Sequence, residues 1–294
     1  MSTQKISFNV AGDLIIGHLY YPENISQGSL PAIIVAGPMT SVKEQVTGRY
    51  AEELSQHGFI TLSIDHRHYG ESGGEPRQFE YYKHKIEDLS AAINYLKSLD
   101  IVDSERIHAL GICLGSGYLA HTLKKRTDLR SFSAIAGYYR DVEAMMEEPL
   151  ARVSHQEKIE QGLQARIHYE LTGEVKTIPA VSLTEEAAMM IESTYHYYAS
   201  RAAHSNYTNK FAVMSREHFI TFDVQEAAQD ILIPTQIIHG NKALNPTWAK
   251  KFYSDLKCPK EWLDVEADNQ TAYYDDSALL ALISQKVSTF ISRH

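Results

Sequence analysis

The chain has 294 residues, 44% hydrophobic and 22% charged, the proportions of an ordinary globular protein with room for one large α/β domain carrying an insertion, or for two small domains. A formal net charge of -9 leaves no basic surplus to neutralise phosphates, which argues against nucleic acid or an anionic membrane as a general partner. With only Cys113 and Cys258 a disulfide framework is not expected, and no signal-peptide-like start or membrane-length apolar run is present, so a reducing cytoplasm is the expected location.

Residues 6–10 and 14–20 read as antiparallel edge strands about the turn Val10-Ala11-Gly12-Asp13. Residues 31–37 are continuously apolar, the pattern of a strand buried on both faces of a parallel sheet. A helix with Val46, Tyr50 and Leu54 on one face and a strand at 59–64 complete a crossover unit. The alternation continues through a helix bearing Ile86, Leu89, Ile93 and Leu96, a strand at 106–110, a second helix, and a strand at 132–137. Residues 141–225 break the rhythm: they are polar, helix-rich and crowded with Tyr and His, and no linker-like composition flanks them. We therefore expect an α/β core at 1–140 and 226–294, interrupted by a helical lid at 141–225. The core resumes with a strand at 231–240, a helix around Trp248 and Phe252, a strand at 262–265, and a last helix carrying Leu279, Ile283, Val287 and Phe290.

Between the strand at 106–110 and the next helix lies Gly111-Ile112-Cys113-Leu114-Gly115-Ser116-Gly117, a nucleophile elbow with a thiol in the nucleophile position. The turn doubles back so sharply that its neighbours must be nearly free of side chains, which Gly111, Gly115 and Gly117 satisfy. The helix N-terminus behind it offers amides and partial positive charge, which lower a thiol's pKa and can hold an oxyanion. The alternative is a small buried hydrophobe, the usual fate of a lone cysteine. A dinucleotide-type glycine loop and a phosphate-binding Gly-Lys-Ser/Thr loop are both absent, so no cofactor is expected. His66 and His68 could be written as a metal pair, but no cluster at ligand spacing supports it, and no metal is expected.

Over nearly its whole length the chain resembles the α/β-hydrolase superfamily, and within it the branch of dienelactone-hydrolase-like and polyketide-transferase-like proteins. The resemblance rests on Gly37-Pro38-Met39-Thr40-Ser41-Val42-Lys43-Glu44-Gln45, on the run from Asp65 to Arg77, and on the elbow, Ile238-His239-Gly240 and Tyr274-Asp275-Asp276. It implies an eight-stranded, mostly parallel sheet with helices on both faces and a pocket under a lid. It also implies oxyanion-hole amides from Leu114 and from Met39 or Thr40, and a bracing role for Asp65 and Arg67, most simply as an internal ion pair.

The triad that the resemblance implies is incomplete. The histidine expected after the last strand is missing, and Gln270 falls in its slot; an amide cannot act as a general base near neutral pH, so its role would be to orient substrate or water. No carboxylate follows Gly240 within loop reach, leaving Asp141, which reads equally well as a helix cap or a partner for Arg140. His239 is expected to be structural. A histidine of the insertion could reach in instead, His196 and His204 first among them, each more often a surface or packing residue than a catalyst. Tyr138, Tyr139 and Tyr273, with His196 and His204, are candidate pocket walls suited to an aromatic or polyketide-like small molecule, although tyrosines pack as readily in a core. Three readings stand: an enzyme acting on an ester, thioester or lactone through Cys113; a non-hydrolytic lyase, isomerase or acyl transferase; and a catalytically silent ligand-binding protein. A homodimer is compatible with each.

Overall fold

The computed structural model describes residues 2–23, 28–147 and 149–294. β1 (Ser2–Val10) and β2 (Asp13–Tyr21) pair antiparallel across Ala11-Gly12, whose φ angles of 50° and 95° are the left-handed pair a tight hairpin requires. There follow β3 (Leu30–Ala36), α1 (Val46–Gln56), β4 (Ile60–Ile64), α2 (Tyr82–Lys97), β5 (Val102–Ile112), α3 (Leu114–Thr122) and β6 (Ser131–Ile135). The insertion holds α4 (Val142–Met145), α5 (Pro149–Thr172), β7 (Thr177–Ile178), α6 (Glu192–His196), β8 (Phe211–Ala212) and α7 (Arg216–Phe219). The chain ends with β9 (Thr235–His239), α8 (Pro246–Asp255), β10 (Lys260–Asp264), α9 (Ala272–Asp275) and α10 (Ser277–Ile291).

Eight strands form one sheet in the order β1-β2-β4-β3-β5-β6-β9-β10; β2 is antiparallel to β1 and β4, and every other pair is parallel. This is the sheet the resemblance implies. The crossover β3-α1-β4 steps toward one edge, whereas β4-α2-β5, β5-α3-β6 and β9-α8-β10 step toward the other. Right-handed crossovers therefore put α1 on one face and α2, α3 and α8 on the opposite one. α10 packs against α1, and α2 against α3, so both faces are covered. Ile33, Ile34, Leu62, Leu110, Phe132 and Ile237 are buried accordingly. Truncating any one of them to alanine would cost about 2–5 kcal/mol.

The predicted strand at 231–240 is shorter than its apolar run. Pro234 offers no ladder N–H, and β9 begins at Thr235. Residues 141–225 also hold the short antiparallel ribbon of β7 and β8. In α5, 24 residues long, only Gly162 and Ala165 are fully buried.

The loop after β4 is braced by two separate charge clusters. Asp65 pairs with Lys43 at 2.8 Å, and Arg67 pairs with Asp88 at 2.6 Å, so the two residues do not pair with each other. His66 stands 3.3 Å from Asp88, and His68 Nε2 lies 2.7 Å from His84 Nδ1. Among the described residues, the one His and carboxylate grouping close enough to share a cation is His18, Glu44 and Glu71, but the Lys43 ammonium already contacts Glu44 at 2.6 Å and Glu71 at 2.7 Å. No helix among the described residues is long and apolar enough to cross a membrane.

Candidate active site

Cys113 sits between the end of β5 and the start of α3 with φ 53° and ψ -123°, a left-handed, strained conformation for a residue with a side chain. The surroundings force it to stay there. The Cys113 amide donates to the Ile135 carbonyl at 3.1 Å, and the Tyr138 amide donates to the Cys113 carbonyl at 3.0 Å. A Cβ on Gly115 would stand 2.3 Å from the Ala36 carbonyl oxygen, and one on Gly111 would stand 2.5 Å from Ser116 Cα, so glycine alone allows α3 to pack this close to β3 and β5.

The thiol faces the Leu114 amide, the Tyr274 hydroxyl and the Gln270 side chain. Each favours the thiolate, yet burial outweighs them and pushes the thiol up to about 11. The expectation that the helix N-terminus would acidify Cys113 is thus corrected: the sulfur is so shielded from water that desolvation wins. At neutral pH it is a thiol, not a thiolate.

Gln270 is locked. Its Oε1 accepts from the Leu244 amide at 2.9 Å, and its Nε2 donates to the Ala136 carbonyl at 2.9 Å and to the Tyr274 hydroxyl at 3.1 Å. It therefore bridges the loops after β6 and β9, and its amide dipole is spent on the protein. Tyr274, four residues further on in α9, carries the contact to sulfur.

The two oxyanion candidates after β3 separate. The Thr40 amide donates to Glu80 Oε2 at 3.1 Å, so it is already occupied. Thr40 is also absent from the cavity wall, whereas Met39 lines it, and the Met39 amide has no acceptor among the described residues. Glu80, fully buried, pairs with Lys85 at 2.9 Å and accepts a short hydrogen bond from the Tyr118 hydroxyl of α3. One carboxylate thereby ties the loop after β3 to the helix behind the nucleophile.

The cavity above Cys113 has a volume of about 260 Å³. Pro38, Met39, Cys113, Leu114, Tyr138, Arg140, Leu244, Asn245, Gln270 and Tyr274 come from the core and its adjoining loops, and Ala188, Met189, Met190, Ile191, Thr194, Tyr198 and Phe219 come from the insertion. Among the described residues, no histidine and no carboxylate lines it.

Several sequence candidates lie elsewhere. Asp141 caps α4, accepting from the Ala144 amide at 3.0 Å, and stands 3.3 Å from Lys251, because it begins a helix and turns away from the thiol. Tyr139 is fully buried against the Phe252 ring at 4.3 Å, and the Tyr273 hydroxyl donates to the Val265 carbonyl, so both are core residues. The His196 side chain is 53% exposed and lies 3.9 Å from Glu192. His204 is 39% exposed and lies 3.9 Å from Glu44. Neither reaches the cavity. His239 is buried against the Gly240 and Gly137 carbonyls. Tyr138 does line the cavity. So do Tyr198 and Tyr274, two of the tyrosines the sequence suggests for a lid and pocket, whereas Arg140 is a wall residue that sequence reasoning did not assign.

Comparison with known proteins gives a consistent picture. The family model described as "Serine aminopeptidase, S33" (Hydrolase_4) matches residues 33–265. Protein YcjY of Escherichia coli (strain K12), itself described as uncharacterized, is 29% identical over 96% of this chain and 95% of its own length. The chain also matches polyketide transferase claH of Penicillium crustosum, 30% identical over 37% of this chain and 36% of that one. The crystal structure of hypothetical protein PA2218 from Pseudomonas aeruginosa superposes with a TM-score of 0.85 and 26% identity, covering 100% of this chain and 94% of that one.

Proposed function

The chain belongs to the Hydrolase_4 family of α/β-hydrolase-fold proteins, and from that premise we propose that it transfers the acyl group of a thioester through Cys113. The observation that carries the reading is the site's asymmetry: a strained nucleophile with two amides at hand, and a locked glutamine where a proton acceptor would stand.

In the first half-reaction the Cys113 sulfur attacks the acyl carbon, and a carbon–sulfur bond forms. Charge on the carbonyl oxygen is held by the Leu114 and Met39 amides. The Tyr274 hydroxyl accepts the thiol proton as it hands its own to the departing sulfur, and the bond to the leaving thiol breaks. The products are the acyl-Cys113 thioester and a free thiol. In the second half an incoming nucleophile takes the acyl group, and its proton returns to Cys113 by the same path.

A thioester suits this site better than an ester or a lactone, because its leaving group is a thiol of the same kind as the attacking one. Transfer suits it better than hydrolysis, because water needs a base to become nucleophilic and Gln270 is not one. The claH name, which belongs to that protein, points the same way. Tyr138, Tyr198, Tyr274 and Phe219 give the cavity aromatic walls, matching a small aromatic or polyketide-like acyl group. Residues 141–225 act in this account as the lid, since their side chains form the cavity's outer wall. Turnover of an acyl N-acetylcysteamine thioester, with and without an added thiol or amine acceptor, tests the reading. Acceptor-dependent product from wild type and none from Cys113→Ala supports it; product that survives Cys113→Ala contradicts it.

The locked Gln270 also favours a second reading, a ligand-binding protein without turnover. It predicts saturable binding of the same thioesters with no product and no adduct.

A further inference from the structure

Among the described residues, Arg140 is the single charged side chain in the wall of the Cys113 cavity. It is only 3% exposed, and among the described residues no carboxylate pairs with it. A buried, unpaired cation is costly, and proteins rarely keep one without a use. Its hydrogen bonds go to neutral acceptors: Nε donates to the Phe222 carbonyl at 3.1 Å, Nη2 to the Ile220 carbonyl at 3.1 Å, and the guanidinium also donates to the Tyr138 hydroxyl. The guanidinium lies 4.4 Å from the Phe219 ring centre and 5.8 Å from that of Tyr138, both cavity residues. Asp223 acts on it from beyond ion-pair distance, and its two oxygens are committed to the Val142 and Glu226 amides.

We propose that Arg140 binds a carboxylate on the substrate, so that the acyl group delivered to Cys113 carries an anionic end. This deepens the transfer reading above and rests on it for the word acyl; the anion site itself stands on the cavity alone. A guanidinium has five N–H donors in a planar fork, and the Ile220 and Phe222 carbonyls with the Tyr138 hydroxyl leave donors over for a carboxylate. The Phe219 ring at 4.4 Å and the hydrogen bonds to Phe222, Ile220 and Tyr138 hold the guanidinium in place, which spares part of the entropy a free arginine would lose on binding. In a cavity this dry the pair is weakly screened by salt. Tyr138, Arg140 and Cys113 line the same cavity, so an anion held by Arg140 shares it with the acyl group at the sulfur.

The test separates binding from chemistry. Calorimetric titration of the Cys113→Ala protein with hexanoate and with hexanamide compares an anion with its neutral isostere where no acyl chemistry can occur. Hexanoate is expected to bind tighter by about tenfold or more, the order of one charge-assisted hydrogen bond. The preference should vanish on adding Arg140→Gln and survive in part with Arg140→Lys, with circular dichroism confirming the fold of each. Equal affinities in the parent protein, or binding of neither compound, overturn the proposal. In wild type, glutaryl and pentanoyl thioesters of N-acetylcysteamine are then compared. Acylation without a glutaryl preference counts against Arg140 and leaves transfer standing; an intact hexanoate preference without any acylation retains the Arg140 site and removes transfer.

Discussion

Gln270 donates from Nε2 to the Tyr274 hydroxyl at 3.1 Å, and Tyr274 in turn contacts the Cys113 sulfur. In the proposed account Gln270 stands where the resemblance implies a proton acceptor, and the hydroxyl it orients is the group nearest to a proton carrier at the thiol. Returning an acceptor to that position should therefore change the reaction's outcome. Gln270→His is expected to raise the hydrolysed share of product from an acyl thioester at the expense of transfer, by about tenfold in the water-to-acceptor ratio, the low side of what one general base supplies. Product analysis by chromatography checks it.

The thiol's ionisation gives a pH prediction with a definite sign. Burial raises the Cys113 pKa to about 11 from the ordinary value of 9.0, so the folded protein holds its proton where an exposed cysteine has lost it. Alkylation of Cys113 by iodoacetamide should keep rising between pH 9 and 11, where a free thiol's rate has levelled off. Tyr274→Phe removes a contact that lowers this pKa, and should shift the profile further upward. Mass-resolved alkylation at a series of pH values reads both. The same sign applies to stability: between the two pKa values the unfolded chain releases the proton first, so Cys113 favours unfolding as pH rises through that window.

Glu80 links the loop after β3 to α3, and it is buried with Lys85. Glu80→Gln leaves the Lys85 ammonium without its counter-charge, at a cost of about 3–5 kcal/mol. The variant should melt well below wild type, and in whatever folds the acylation rate should fall, because the Thr40 backbone that fixes Met39 has lost its acceptor. Thermal unfolding monitored by circular dichroism is the check. If the melting temperature is unchanged, the pair is not the brace described.

Gly115→Ala places a methyl 2.3 Å from the Ala36 carbonyl oxygen, where neither backbone can yield cheaply. A loss of at least about 1–3 kcal/mol follows from overpacking. Expression yield and urea unfolding would show it.

Much of this was legible in the sequence. The apolar runs at 31–37 and 59–64 and the glycines around Cys113 dictate a buried parallel sheet and an elbow by local rules, and those rules held. The histidine that the resemblance implies is absent from the sequence, which is why Gln270 was singled out for that slot. What escaped were relations between distant segments. Nothing local says that Glu80 would claim the Thr40 amide, that Asp141 would turn toward Lys251, or that Arg140 would face the cavity. The acidifying effect expected of the α3 terminus was real but smaller than desolvation, a balance only three-dimensional burial decides.

The most direct measurement is peptide mapping of the protein after brief exposure to an acyl N-acetylcysteamine thioester, before any acceptor is added. The account predicts one acyl group per chain, on the peptide carrying Cys113 and not on the one carrying Cys258, and none in Cys113→Ala. An unmodified Cys113 beside turned-over thioester would contradict it.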